Sequence, residues 1–247
     1  PHVPSCRKAR PRHRRQCGIG AAIAQQLAAE GADVAITYER SAEKAASVVK
    51  AIEALGRKGA AIAADSADPA AVKRSVDQAA QALGGLDILV NNAGIYRGGP
   101  VEDWSLADID TIMAVNIRAV VLASQAAAAH LGEGGRIISI GSCLADRVVE
   151  PNVTLYAMTK AALIGFTKGL ARDFGPRGIT INTVDPGSTD TDMNPADGPR
   201  AAAQLARMAI PAYGKPQDIA AAVAYLASEE GRFITGAGLA VDGGVNT

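Results

Sequence analysis

Cysteine, histidine and aromatic residues are all scarce in this chain. Three cysteines (Cys6, Cys17 and Cys143), with no Cys/His pair at zinc spacing, argue against a disulfide framework and against a metal site. They also point to a reducing, cytoplasmic setting. His2, His13 and His130 form no cluster in the sequence. No run of about 18 strongly apolar residues offers a membrane span. Aromatic residues make up 4% of a chain that is 48% hydrophobic, so the core is expected to be Ala- and Val-rich, with helices on a sheet. A length of 247 residues suits one domain with a sizeable core.

An excess of either charge is also missing, since 25 basic side chains balance 25 acidic ones. That balance conceals an asymmetry. Arg7, Lys8, Arg10, Arg12, Arg14 and Arg15 lie in the first 16 residues, which contain no acid; the remainder holds 19 basic against 25 acidic side chains. A mildly acidic body with one basic end is not the footprint of a groove-reading nucleic-acid binder.

From Gly18 onward, strand-like and helix-like segments alternate with short breaks. This is the pattern of a parallel sheet covered on both faces. Helices are expected over 20–30, 42–55, 70–83, 106–131, 154–174 and 216–228. Strands are expected over 34–38, 60–64, 86–90, 136–140, 179–184 and 238–241. No repeat, linker or low-complexity segment divides the chain. The handedness of parallel crossovers then favours an α/β, Rossmann-like doubly wound sheet in a single domain over 18–247.

Tyr156 and Lys160 stand four apart in Leu155-Tyr-Ala-Met-Thr-Lys160, with Ser142 fourteen residues before the tyrosine. On a helix, residues i and i+4 share one face. A lysine there favours the phenolate and draws the tyrosine pKa down from about 10. A phenol so tuned can exchange a proton with a carbonyl oxygen while a hydride moves at the neighbouring carbon. Gly18-Ile19-Gly20 opens the first helix. Glycines at such a helix start let the backbone approach a pyrophosphate, where free N–H groups attract anions.

A buried strand should feed that turn, yet Lys8-Ala-Arg-Pro-Arg-His-Arg-Arg-Gln-Cys17 precedes it. Charged residues and Pro11 do not suit a central strand. A basic targeting arm, a different fold and a reading-frame error are the three explanations. The frame error is favoured. Read one base later, the codons of residues 10–17 can spell Ala-Leu-Val-Thr-Gly-Gly-Ser, the hydrophobic strand and glycine turn that the fold requires. Residues 1–17 are thus an anomalous basic segment. If they are literal, loss of a central strand should cost more than the roughly 5–15 kcal/mol that holds a domain together.

These residues together resemble the short-chain dehydrogenase/reductase family, and within it the 3-oxoacyl-acyl-carrier-protein reductases. Asn91-Asn-Ala-Gly94, Asn116, Ser142, Tyr156, Lys160, Pro186-Gly187 with Thr189 and Thr191, Phe233-Ile-Thr-Gly236 and Val241-Asp-Gly-Gly244 carry the resemblance in order. It covers about nine-tenths of the chain. It implies Tyr156 as acid/base, Ser142 on the substrate carbonyl, Lys160 on tyrosine and ribose, and Asn116 as part of a water relay to Lys160. It implies a coenzyme held by Gly18, Ile19, Gly20, Asn92, Ala93, Gly94, Tyr156, Lys160, Pro186, Gly187, Thr189 and Thr191. Asp65 would contact the adenine, with Ser66 beside it; capping the turn before Pro69 is the equal alternative for Asp65. A homotetramer is also implied. Cys143 reads as a small buried residue rather than a nucleophile.

NAD-selective sites place an acid at the end of the second strand. Tyr38 occupies that place here, and Arg40 and Ser41 could bind a 2′-phosphate. NADP(H) is therefore favoured over NAD(H), although a one-residue shift would bring Glu39 to the ribose. Residues 188–211, rich in Asp, Pro, Gly and Ala, read as a substrate lid. The substrate expected is a ketone, with a 3-oxoacyl thioester first and a small ketone or sugar next. An NAD-dependent alcohol or sugar dehydrogenase is the alternative within the family. A non-catalytic nucleotide-binding protein or a decayed copy is the alternative outside it, and the intact Ser142, Tyr156 and Lys160 speak against decay.

Overall fold

The computed structural model describes residues 18–247. The expected anomaly over 1–17 lies outside the described residues. Six parallel strands are present among those described: β1 (Val34–Tyr38), β2 (Gly59–Ala63), β3 (Ile88–Asn91), β4 (Arg136–Ile140), β5 (Thr180–Pro186) and β6 (Gly238–Val241). β1 pairs with β2, and the order β3-β4-β5-β6 forms a second sheet. All pairs are parallel, with Ile138 opposite Asn182 and Val90 in the central register. Between β1 and β3 lies an apolar cavity of about 810 Å3 whose walls include Ala24, Leu27, Val34, Ile36, Leu89 and Val90.

The helices are α1 (Ile19–Ala29), α2 (Ala42–Glu53), α3 (Pro69–Leu83), α4 (Leu106–Met113), α5 (Ala119–Ala127), α6 (Thr154–Phe174), α7 (Ala201–Leu205) and α8 (Pro216–Ala227). Local chemistry sets their ends. Asp68 caps α3 by accepting the Ala70 N–H at 2.8 Å, Pro69 fits the first turn, and Gly84 closes the helix at φ +85°. Ser105 caps α4 by accepting the Asp108 N–H at 3.1 Å.

Burial places the sheet between two helical layers. Ile23 and Leu27 of α1 and Ile219, Val223 and Leu226 of α8 pack with Ile138, Ile140 and Val184. Val76 of α3, Ala127 of α5 and Ala171 of α6 pack with Ile137, Ile179 and Ile181. Strands covered on both faces read as apolar runs, as β4 does in Arg-Ile-Ile-Ser-Ile.

The expected single helix over 106–131 is broken. Residues Ala114–Arg118 form a π-helical turn between α4 and α5, and α5 ends at Ala127. The wider turn accompanies a buried Asn116 whose side chain serves a neighbouring loop rather than its own helix. Residues 188–211 contain a short helix, α7, which a segment of Asp, Pro and Gly did not announce. Other boundaries coincide with the expectation or shift by one or two residues, as hydrophobic patterns leave them free to do.

Candidate active site

A cleft of about 570 Å3 opens at the C-terminal ends of the strands, where open α/β sheets bind ligands. Its walls run from Gly18 and Ile19 past Tyr38, Glu39 and Ser66 to Asn92, Ala93 and Gly94. From there they reach Ser142, Tyr156, Lys160 and the turn 186–189. The volume lies within the range of small-molecule and cofactor sites.

Helix α6 aligns Tyr156 and Lys160 on one face. The Lys160 ammonium lies 5.7 Å from the centre of the Tyr156 ring and donates a 2.8 Å hydrogen bond to the Ile140 carbonyl at the end of β4. Burial lowers its pKa to about 8, while Asp185 pulls it back up. The Tyr156 phenol is pushed up to about 12, chiefly by burial, with the Ser142 hydroxyl opposing. Lys160 is not among the groups that move the phenol here. Its ammonium is engaged by the Ile140 carbonyl and lies over the Tyr156 ring.

Ser142 follows β4 and caps a short 3-10 turn, accepting the Leu144 N–H at 3.2 Å. Its hydroxyl also reaches the Tyr156 phenol, the bond that opposes the rise in the tyrosine pKa. Asn116 is 1% exposed and lies below the cleft wall. Its carbonyl accepts the Ile95 N–H and its amide donates to the Ile95 carbonyl, both at 2.9 Å, with a further bond to Thr159 at 3.1 Å. The asparagine thus fixes the loop after β3. That loop carries Gly94, where an added Cβ would lie 3.5 Å from both Asn116 Oδ1 and Lys160 Nζ. At the head of α1, a Cβ on Gly20 would meet the Asn92 amide nitrogen at 2.5 Å. The two glycine-bearing segments are fitted to each other.

A family model described as enoyl-(acyl carrier protein) reductase matches residues 14–246. A short-chain dehydrogenase from Burkholderia cenocepacia, solved in complex with NADP, is 66% identical, with a TM-score of 0.92 over 93% of this chain and 94% of that one. The chain belongs to the short-chain dehydrogenase/reductase family. The cyclic-di-GMP-binding biofilm dispersal mediator protein of Escherichia coli is 45% identical over 226 residues, 92% of each chain. The 3-oxoacyl-(acyl-carrier-protein) reductase FabG of Staphylococcus aureus is 38% identical over 231 residues, 92% of this chain and 94% of the relative.

Within this reductase fold, Gly18, Ile19, Tyr38, Ser66, Asn92, Ala93, Gly94, Ser142, Tyr156, Lys160, Pro186, Gly187, Thr189 and Thr191 all line the one cleft. Gly20 and Ser41 line the cavity between β1 and β3 instead. Asp65 is spent on its own turn, accepting the Ala67 N–H at 2.7 Å. Arg40 is paired with Glu39 at 2.7 Å and its side chain is 89% exposed. Cys143 is buried, and burial together with Asp242 pushes its thiol to about 11, as suits a packing residue.

Three contributors escaped the sequence reading. The Tyr96 ring lies 5.3 Å from that of Tyr156. Arg200, at the start of α7, sets its guanidinium 5.4 Å over Tyr96 and so joins α7 to the wall that carries Tyr156. Asp192 reaches across to Lys44 of α2 at 3.3 Å. Such pairs depend on separations of tens of residues that no local motif records. Among the described residues no group of three or more His, Cys, Asp or Glu could hold a metal, and no helix is long and apolar enough to cross a membrane.

Proposed function

We propose that this protein uses NADP(H) to reduce a ketone to a secondary alcohol. The observation that carries the reading is the convergence of Ser142, Tyr156 and Lys160 on a cleft that also holds Gly18, Asn92–Gly94 and Pro186-Gly187. These residues fit a dinucleotide. The head of α1 presents free N–H groups to a pyrophosphate, the Gly94 backbone leaves a bare floor beside Lys160, and Tyr38 stands where NAD-selective sites carry an acid. The NADP complex of the Burkholderia relative supports the choice of coenzyme. A bound nicotinamide coenzyme supplies the hydride.

This chain's residues do the rest. Ser142 and Tyr156 hold the carbonyl oxygen, which polarises the bond and sets the carbon towards the incoming hydride. Tyr156 gives its proton to that oxygen as charge develops. A phenol pushed up to about 12 by burial stays protonated at neutral pH, and the Ser142 hydrogen bond that opposes the rise favours release of that proton. Lys160, with a pKa of about 8, can return the proton or hold the ribose. Asn116 keeps the loop after β3 in register beneath both.

A 3-oxoacyl thioester is the first substrate to try, supported by the likeness to FabG; small ketones and sugars follow. Acyl thioesters and NADPH in parallel with NADH make one assay, reading coenzyme oxidation. Turnover with NADPH supports the proposal, and turnover with NADH alone moves it to the NAD-dependent alternative. The E. coli relative favours a second reading, a protein that binds a cyclic dinucleotide without turning over a ketone. Saturable binding of cyclic di-GMP with no ketone reduced by any coenzyme would establish it. The homotetramer belongs to the same proposal and is tested by light scattering. The basic segment 1–17 is proposed to come from a shifted frame, which resequencing the DNA decides.

A further inference from the structure

Asp185 belongs to none of the motifs above, yet it occupies a built position under the catalytic residues. It lies near the C-terminal end of β5, one residue before the Pro186-Gly187 turn. Its carboxylate sits between two glycines. An added Cβ on Gly141 would collide with Asp185 Oδ1, and one on Gly238 would come within 2.6 Å of Oδ2. Only glycine at both places, just after β4 and at the start of β6, leaves room for the group. The Thr183 hydroxyl donates to Oδ2 at 3.0 Å. Oδ1 is buried and closes no hydrogen bond of normal geometry among the described residues. A buried, half-satisfied carboxylate is costly unless a charge repays it.

The segment Ile140-Gly141-Ser142 joins this carboxylate to the chemistry. Ile140 gives its carbonyl to Lys160 at 2.8 Å, Gly141 packs on the carboxylate, and Ser142 is the catalytic serine. We infer that Asp185 is a positioning residue: it seats the Ile140–Ser142 segment and serves as the internal counter-charge of Lys160. The inference rests on the reductase reading for its purpose, but not for its test. The charges facing the carboxylate agree with it. Burial raises the Asp185 pKa, while Thr183, the Ser142 N–H and Lys160 bring it down and Asp146 raises it. Lys160 in turn is raised by Asp185 against its own desolvation. Cys143, the remaining titratable neighbour, is held neutral by burial, Asp242 and Asp185.

The test is an NMR titration of the full chain with 13C-labelled lysine, the Lys160 signal being assigned by its loss in Lys160→Arg. In wild type the expected midpoint is about 8, with a second, acid-side inflection as Asp185 takes a proton. In Asp185→Asn, which keeps the shape, the midpoint should fall by about one pH unit and the acid inflection should vanish. In turnover, the alkaline limb of the pH–rate profile should move down by the same amount, with little change in KM for NADPH. A wild-type curve with no acid inflection overturns the inference, even if the Asn variant fails to fold. So does an unchanged Lys160 midpoint in a folded variant. Absence of ketone turnover, by contrast, would strike the proposed function and leave the titration intact.

Discussion

Every residue of β4 is buried, and so are six of the seven in β5, whereas β1 and β2 contain no fully buried residue. The first pair of strands leads to Ser142 and the turn 186–187; the second leads to Tyr38 and Glu39 on another wall of the cleft. The chemical groups are thus mounted on the best-packed part of the sheet. The β1–β2 side is held by α1 and α2 against Val34 and Ile36, beside the cavity between β1 and β3. Proton transfer tolerates little misplacement, whereas a dinucleotide gripped at many points tolerates more. The difference also locates weakness: opening should begin on the β1–β2 side.

The largest effect should come from the buried side. Tyr156→Phe removes the proton donor and nothing else from the cleft wall, so kcat should drop by about a thousandfold. NADPH affinity, set largely on the other side, should hold within about threefold. Parallel kinetics and fluorescence titration check this, and equal losses in both would erase the division of labour. Native-state hydrogen exchange tests the same division without any mutation. Amides of β4 and β5 should exchange only through global unfolding, and those of β1 and β2 at least about a hundredfold faster. Uniform protection would mean that the two sides open as one.

Lys160 shows what placing chemistry in the core costs. Its folded pKa of about 8 lies below the ordinary 10.5, so between those values the folded state has released a proton that the unfolded chain retains. Stability from this group therefore rises with pH across that window, and at pH 7 the buried ammonium is a net burden. Lys160→Met should abolish turnover yet stabilise the fold by about 1–3 kcal/mol at pH 7. The gain should shrink to nothing above pH 10.5, where the lysine is neutral in both states. Thermal melts at pH 7 and pH 10.5 decide it. A variant less stable than wild type at pH 7 would show that the bond to Ile140 outweighs the desolvation.

How far the sequence could be read follows the same line. Ile- and Val-rich runs such as 136–140 and 179–184 marked the buried strands, because burial on both faces favours apolar residues, although Arg136, Ser139, Thr180, Asn182 and Thr183 are buried among them. Tyr156 and Lys160 were legible because one helical turn brings them together. Asp185 was not legible. A lone acid before Pro-Gly reads as a turn residue, and its partners Gly141 and Gly238 are neighbours only through sheet register. The π-helical turn at 114–118 was equally hidden, since Asn116 bonds to Ile95, 21 residues away. The fate of Arg40 was missed for a simpler reason: the adjacent Glu39 captures it.

That capture yields the smallest of the expected effects, and it tests the exposed side of the molecule. Glu39 lines the cleft and holds the Arg40 guanidinium at 2.7 Å, with their side chains 50% and 89% exposed. A pair so open to water is worth at most about 1 kcal/mol. Breaking it should therefore leave stability untouched. Glu39→Gln would nevertheless free Arg40 and remove a negative charge from this wall of the cleft. A 2′-phosphate gains from both changes, and a 2′-hydroxyl loses an acceptor. NADPH binding should tighten by about three- to tenfold and NADH binding should weaken slightly, with an unchanged melting temperature. Arg40→Ala should move NADPH the other way. If Glu39→Gln weakens NADPH as much as NADH, the carboxylate is positioning the ribose itself, and the selectivity of this side rests on Tyr38 and Ser41 rather than on Arg40.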